Sequence, residues 1–131
     1  MKIKNRKQEV GVFGEKTVAR HYRCRFYLIR KKNYKIGKKE IDLVAESLTT
    51  LVFIEVKTRT QDPSQPHAIS PSFAVNYEKQ QNLIHAARAY LAAHPTKKKI
   101  RFDVAEVFTE ISESGKIRLR KMHIIKDAFH A

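Results

Sequence analysis

"LVFIEVKTR", residues 51–59, decides the fold of this chain. Taken at period two, Val52, Ile54, Val56 and Thr58 share one face, and Leu51, Phe53, Glu55, Lys57 and Arg59 share the other. Its first half is apolar on both faces, the pattern of an interior strand covered on both sides. One face then turns to Glu, Lys and Arg while the other stays apolar. Burying an unpaired charge costs several kcal/mol or more, so an inward line of three ionisable groups calls for partners.

The flanking segments supply neighbours for this strand. "KEIDLVAE" (39–46) predicts a strand with Ile41, Leu43 and Ala45 on one face and Glu40, Asp42 and Val44 on the other. "SLTT" (47–50) is a turn short enough for an antiparallel hairpin. Upstream, residues 8–23 read as a helix with Val10, Phe13, Val18, Ala19 and Tyr22 inward, and 26–34 as a first strand. Downstream, "TQDPSQPHAISPS" (60–72) holds three of the four prolines and is expected to be irregular. A second helix follows, striped by Phe73, Tyr77, Ile84, Ala87 and Leu91, and Pro95 ends it. "IRFDVAEVF" (100–108) and residues 117–125 read as the last two strands. The order α-β-β-β-α-β-β includes one β-α-β unit, which requires a parallel pair, so the expected fold is α/β with a mixed sheet and helices packed on it. With 131 residues and no linker-like composition, residues 1–131 are expected to form one domain.

Composition narrows the partners. Lys+Arg 27 against Asp+Glu 13 gives a net charge of +14, concentrated in segments such as "RHYRCRF" (20–26) and "RKKNYKIGKK" (30–39). A field of that sign favours polyanions, nucleic acid before a membrane surface. The single cysteine, Cys24, excludes an internal disulfide, suits a reducing compartment, and reads as a small core residue. "MKIKNRKQEVG" leads into no apolar run and nothing approaches the ~20 apolar residues of a membrane span, so a cytoplasmic protein without a membrane partner is expected. No His/Cys spacing suggests zinc, and no Gly-rich loop suggests a nucleotide. Tyr27 and Tyr34, set among basic residues, suit either base stacking or the core.

A hairpin turning at Leu48-Thr49 sets Asp42 opposite Glu55 and Glu40 opposite Lys57. A slip by one residue would split the apolar faces, so hydrophobicity selects the converging register. Two facing carboxylates repel, and a divalent cation between them removes the conflict. Mg²⁺ takes hard oxygen ligands and commonly binds one or two carboxylates plus phosphate and water, which makes it the expected metal, with Mn²⁺ as a substitute. Lys57 on the same face suits orienting or deprotonating water, or stabilising charge on a phosphate. A partly exposed charge ladder through Glu40 and Lys57 explains the same pattern without chemistry. Glu15 lies on or beside the inward helical stripe, near Gly11 and Gly14. Those glycines serve a close approach or simply mark the helix start.

"GVFGEKTVARHY", "KEIDLVA", "FIEVKTR", a lysine opening the second helix and "RFDVAEV" occur in this order. Together they resemble the YraN family of small, uncharacterised bacterial proteins, over about residues 9–129. That family is similar to the PD-(D/E)xK nucleases, particularly archaeal-type Holliday junction resolvases. The resemblance implies a restriction-endonuclease-like sheet and a metal-dependent endonuclease acting on structured or branched DNA, with DNA favoured over RNA. It implies Glu15, Asp42 and Glu55 as metal ligands, which with Lys57 form the catalytic set. It also implies Lys79 near the scissile phosphate. Arg59, Lys35, Lys38 and Lys39 are the further candidate phosphate contacts. A non-catalytic basic module that binds DNA or RNA is the alternative. The family usually has Gly just before the Glu-Ile-Asp block, where this chain has Lys39 and places Gly37 two residues earlier. Arg101 and Asp103 are expected to pair structurally, across the sheet. Resolvases act as dimers, so the resemblance admits a homodimer, but the sequence shows no seam for one and names no protein partner.

Overall fold

The computed structural model describes residues 6–61 and 77–131. Its elements run α1 (Arg6–Arg23), β1 (Leu28–Ile36), β2 (Lys39–Glu46), β3 (Thr50–Gln61), α2 (Tyr77–Ala93), β4 (Lys99–Ile111) and β5 (Ile117–Phe129). The strands form one sheet in the order β1-β2-β3-β4-β5. Only β3 and β4, joined through α2, pair in parallel; the other neighbours are antiparallel. The architecture is thus the expected α/β fold with a mixed sheet.

Two apolar layers lie on opposite faces of the sheet. On the α1 side, Val18, Ala19 and Tyr22 pack against Leu43, Ala45, Val52, Ile54, Ala105 and Val107. On the α2 side, Leu83, Ile84, Ala86, Ala87 and Tyr90 cover Val44, Phe53, Phe102 and Val104. The central strands are therefore buried on both faces, which is why they read as nearly continuous apolar runs. Tyr34 joins the α2 layer, edge-on to Tyr90, and Tyr27 joins the α1 layer, edge-on to Tyr22. Both tyrosines are partly buried, with their rings packed against the core.

Local chemistry sets the element ends. Glu9 in the first turn of α1 and Arg20, His21 and Arg23 in the last complement the helix dipole. The helix closes with Phe26 N–H donating to Arg23 O and Tyr27 N–H to Tyr22 O, and Phe26 takes a left-handed φ of 68°. That cap consumes Phe26 and Tyr27, so β1 begins at Leu28 rather than at 26. Between β1 and β2, Gly37 has a φ of 60° and makes the tight turn, so the displaced glycine serves the hairpin and Lys39 starts the strand.

Several expectations need correction. Cys24 is exposed, because it lies in the capping turn beyond the buried stripe. Tyr77, the first residue of α2, is 74% exposed, and the inward positions there begin at Leu83. Phe73 lies outside the described residues, as does most of the proline-rich stretch, although β3 runs on to Gln61. Ile41 does not share a face with Leu43 and Ala45 but joins the α2 layer with Val44. Alternation is lost for one step at Asp42. On the facing strand Asn33 has a φ of 50°, and the β1–β2 pairing skips an Asn33–Asp42 pair.

Asp103 is fully buried and ties α1, β4 and β5 together. Arg101 grips it with Nε at 2.8 Å and a second nitrogen at 2.9 Å; Tyr22 donates its hydroxyl at 2.6 Å, and the Asp127 amide donates at 3.0 Å. The "RFDV" pair is thus structural, as expected, and runs along one strand rather than between strands.

Candidate functional site

The β2–β3 pairing has the predicted register, from Glu46–Leu51 to Leu43–Ile54. It stops one pair short of Asp42–Glu55. In the gap beyond, Asp42 replaces backbone pairing with its side chain: the Val56 amide donates to Oδ2 at 2.8 Å. The lost alternation at Asp42 is what turns its carboxylate toward β3.

Leu51 and Phe53 lie on the α2 side, so Glu55 and Lys57 point there too. Lys57 Nζ sits 3.3 Å from Glu55 Oε1, with both side chains less than one-fifth exposed. Lys57 therefore pairs along its own strand with Glu55. The opposition of Glu40 to Lys57, and with it the alternative charge ladder, is not seen among the described residues, because Glu40 falls beside Glu15 at the α1 end.

The charges at this point are in conflict. Burial raises the Asp42 pKa from 3.8 to about 7, with Glu55, Glu15 and Glu40 adding repulsion and the Val56 amide partly offsetting them. Lys79, in the first turn of α2, has its ammonium pKa lowered, first by a hydrogen bond with Lys57, then by burial and the Lys57 charge. The arrangement thus sets a buried, raised carboxyl beside two neighbouring lysines.

Glu15 is brought near this group but not into it. It lines a cleft of about 610 Å³ with Gln8, Gly11, Val12, Asn33 and Glu40, and accepts from Asn33 Nδ2 at 3.0 Å. Its pKa is raised, chiefly by burial. Gly14, one residue before, is buried against β3, where an added Cβ would overlap Thr58 Oγ1. Gly14 is therefore the close-approach glycine, whereas Gly11 has open space around it and borders the cleft.

The basic candidates divide by location. Lys35 and Lys38 are exposed and Lys39 is half-buried, all at the β1–β2 hairpin. Arg59, expected at the rim, is partly buried, and among the described residues its buried Nε has no hydrogen-bond partner.

Asp42 and Glu55 fit a hard divalent cation through their chemistry. They are two converging oxygen ligands whose mutual repulsion a cation relieves. Among the described residues no three acidic, histidine or cysteine side chains form a metal-binding cluster, so Asp42 and Glu55 make a set of two carboxylates. Such a set leaves positions for water and phosphate, the usual habit of Mg²⁺.

Two contributors escaped the sequence reading. Asn33 sits in "KKNYK" at a left-handed position, a conformation asparagine tolerates, and that oddity inside a strand was its one signal. Glu106 is buried within the apolar run of β4, and an acid there was visible but unused.

Comparison with known proteins places the chain. Residues 14–107 match the profile described as "Uncharacterised protein family UPF0102". A UPF0102 protein of Chlorobium phaeobacteroides (strain BS1) is 39% identical over 122 residues, covering 92% of this chain and 94% of its own. One from Caldanaerobacter subterraneus subsp. tengcongensis is 38% identical over 124 residues, covering 94% and 96%. The chain belongs to the uncharacterised protein family UPF0102, the YraN family.

Proposed function

We propose that this chain is a divalent-cation-dependent endonuclease that acts on structured or branched DNA. The observation that carries the reading is the convergence of Asp42 and Glu55 beside Lys57, with Asp42 driven up to about pH 7 by burial and by neighbouring acids. Glu55, Glu15 and Glu40 all add repulsion at Asp42, an accumulation of acids that a bound cation would relieve.

Asp42 and Glu55 would hold the cation, Mg²⁺ or Mn²⁺, with Glu15 acting on them from the α1 side. When bound, the cation would supply polarisation of a phosphate oxygen and acidification of a water. Lys57 orients that water or stabilises charge on the phosphate, with Lys79 beside it in the first turn of α2. Lys35, Lys38 and Lys39 on the adjacent hairpin grip phosphates. The preference for branched DNA rests on the resemblance to junction resolvases.

The test is cleavage of branched and plasmid DNA across a Mg²⁺ and Mn²⁺ series. Activity is expected in the wild type and absent in Asp42→Ala and Glu55→Ala. A purified wild type that cuts neither DNA nor RNA under any of these conditions removes catalysis. Salt-sensitive binding that ignores both substitutions would then identify a non-catalytic module, losing ~0.9 log units of affinity per log unit of salt for each neutralised duplex phosphate.

A further inference from the structure

Glu106 is a carboxylate for which the reaction above has no use. It is 0% exposed, and among the described residues neither of its oxygens has a hydrogen-bond partner. His123 Nδ1 lies 3.7 Å from Oε1, on a ring that is itself largely exposed. Holding an acid in that state costs several kcal/mol if it stays charged. A working state that provides it with a cation removes this cost.

The strand registers identify that cation. In the parallel β3–β4 pairing Lys57 stands opposite Glu106, and in the β4–β5 pairing Glu106 stands opposite His123. Phe102 and Val104 lie in the α2 layer, while Ala105 and Val107 lie in the α1 layer. Glu106 therefore faces the α2 side, like Glu55 and Lys57. Lys57, Glu106 and His123 form one row across three strands. Lys57 has two acids within reach: Glu55 along its own strand at 3.3 Å, and Glu106 one strand away, a spacing of ~4.8 Å between backbones. Arg59, two residues further along β3, is a competing cation, since among the described residues its buried Nε also has no hydrogen-bond partner.

We propose that Glu106 is a positioning residue for Lys57: once Glu55 is engaged elsewhere, Lys57 leaves it and pairs with Glu106. The pair draws the lysine amine away from the metal ligand and fixes it at the centre of the row. The part played at the reaction centre rests on the nuclease reading, but the exchange of Lys57 between two carboxylates does not.

The exchange is tested without metal or substrate by neutralising Glu55. A double-mutant cycle of Glu106→Gln with Lys57→Met, read by urea unfolding, is run in the wild-type and the Glu55→Gln backgrounds. The coupling is expected to rise about tenfold in the unfolding equilibrium when Glu55 is neutralised. A rise of less than about twofold, or an equal coupling of Glu106 to Arg59→Met in place of Lys57, overturns the proposal. If a doubly substituted chain does not fold, ¹⁵N spectra of Lys57 in Glu55→Gln decide the question. Nζ protons slowed in exchange and correlated with Glu106 support the proposal, and freely exchanging ones overturn it. In DNA cleavage, Glu106→Gln is expected to lower kcat roughly 10- to 100-fold with KM and cation affinity unchanged. A wild type that cleaves nothing bears on the nuclease reading alone, and the unfolding cycle still decides this one.

Discussion

Replacing Asp42 with asparagine isolates the electrostatic conflict at the site. Burial first, then Glu55, raises the folded pKa from 3.8 to about 7. For a raised acid, the stability it contributes is complete below about 3.8 and is lost as the pH climbs through about 7. The gap between those values, at ~1.36 kcal/mol per pKa unit, sets a ceiling near ~4 kcal/mol. Solvent at a half-buried site and the surplus of basic residues screen part of it, so ~2 kcal/mol is expected. Asparagine keeps an oxygen acceptor for the Val56 amide and removes only the charge. In urea unfolding without metal, Asp42→Asn should match the wild type near ~pH 4 and exceed it by ~2 kcal/mol near ~pH 8. Adding Mg²⁺ should reverse the order. The wild type gains ~2.7 kcal/mol at about 100 times its Kd, and the variant gains little. An asparagine variant that is no more stable than the wild type at high pH would refute the argument. It would mean that Asp42 is stabilised as an anion by contacts that outweigh burial and Glu55.

Other substitutions probe the supports of the site. Gly14→Ala should cost ~1–3 kcal/mol by thermal unfolding, because its Cβ collides with Thr58, and Thr58→Ala should recover part of the loss. Arg101→Met should cost ~3–5 kcal/mol in urea, since it strips the buried Asp103 of its charge partner; a cost below ~1 kcal/mol would show that Tyr22 and the Asp127 amide suffice. Gly37→Ala should cost ~1–2 kcal/mol through its left-handed φ alone, because no atom crowds that position. All three predictions are read on the metal-free protein.

Where the site was legible, residue type and period did the work. Val52, Phe53 and Ile54 could only be an interior strand, and that strand fixed the hairpin register by the penalty for exposing apolar side chains. Register then set Asp42 against Glu55. The failures were local. Period two put Ile41 with Leu43, but one residue of lost alternation moved Ile41 to the other layer and turned Asp42 toward the Val56 amide. Glu40 went with that shift to the Glu15 end, leaving Lys57 to Glu55. Cys24 read as core because it is small, yet the capping turn after α1 carried it into solvent.

By itself the sequence determined the order of elements, the two-sided burial of β3, and the meeting of Asp42, Glu55 and Lys57 at one end of the sheet. Each follows from solvent exclusion acting on near neighbours in the chain. Tertiary structure alone decided the pairing of partners distant in sequence: Gly14 against Thr58, Asp103 under Tyr22, and Glu106 beside Lys57. Those contacts depend on how two helices and a parallel crossover settle on the sheet. No periodicity in the chain encodes that docking, because it is fixed by the packing of all the layers together.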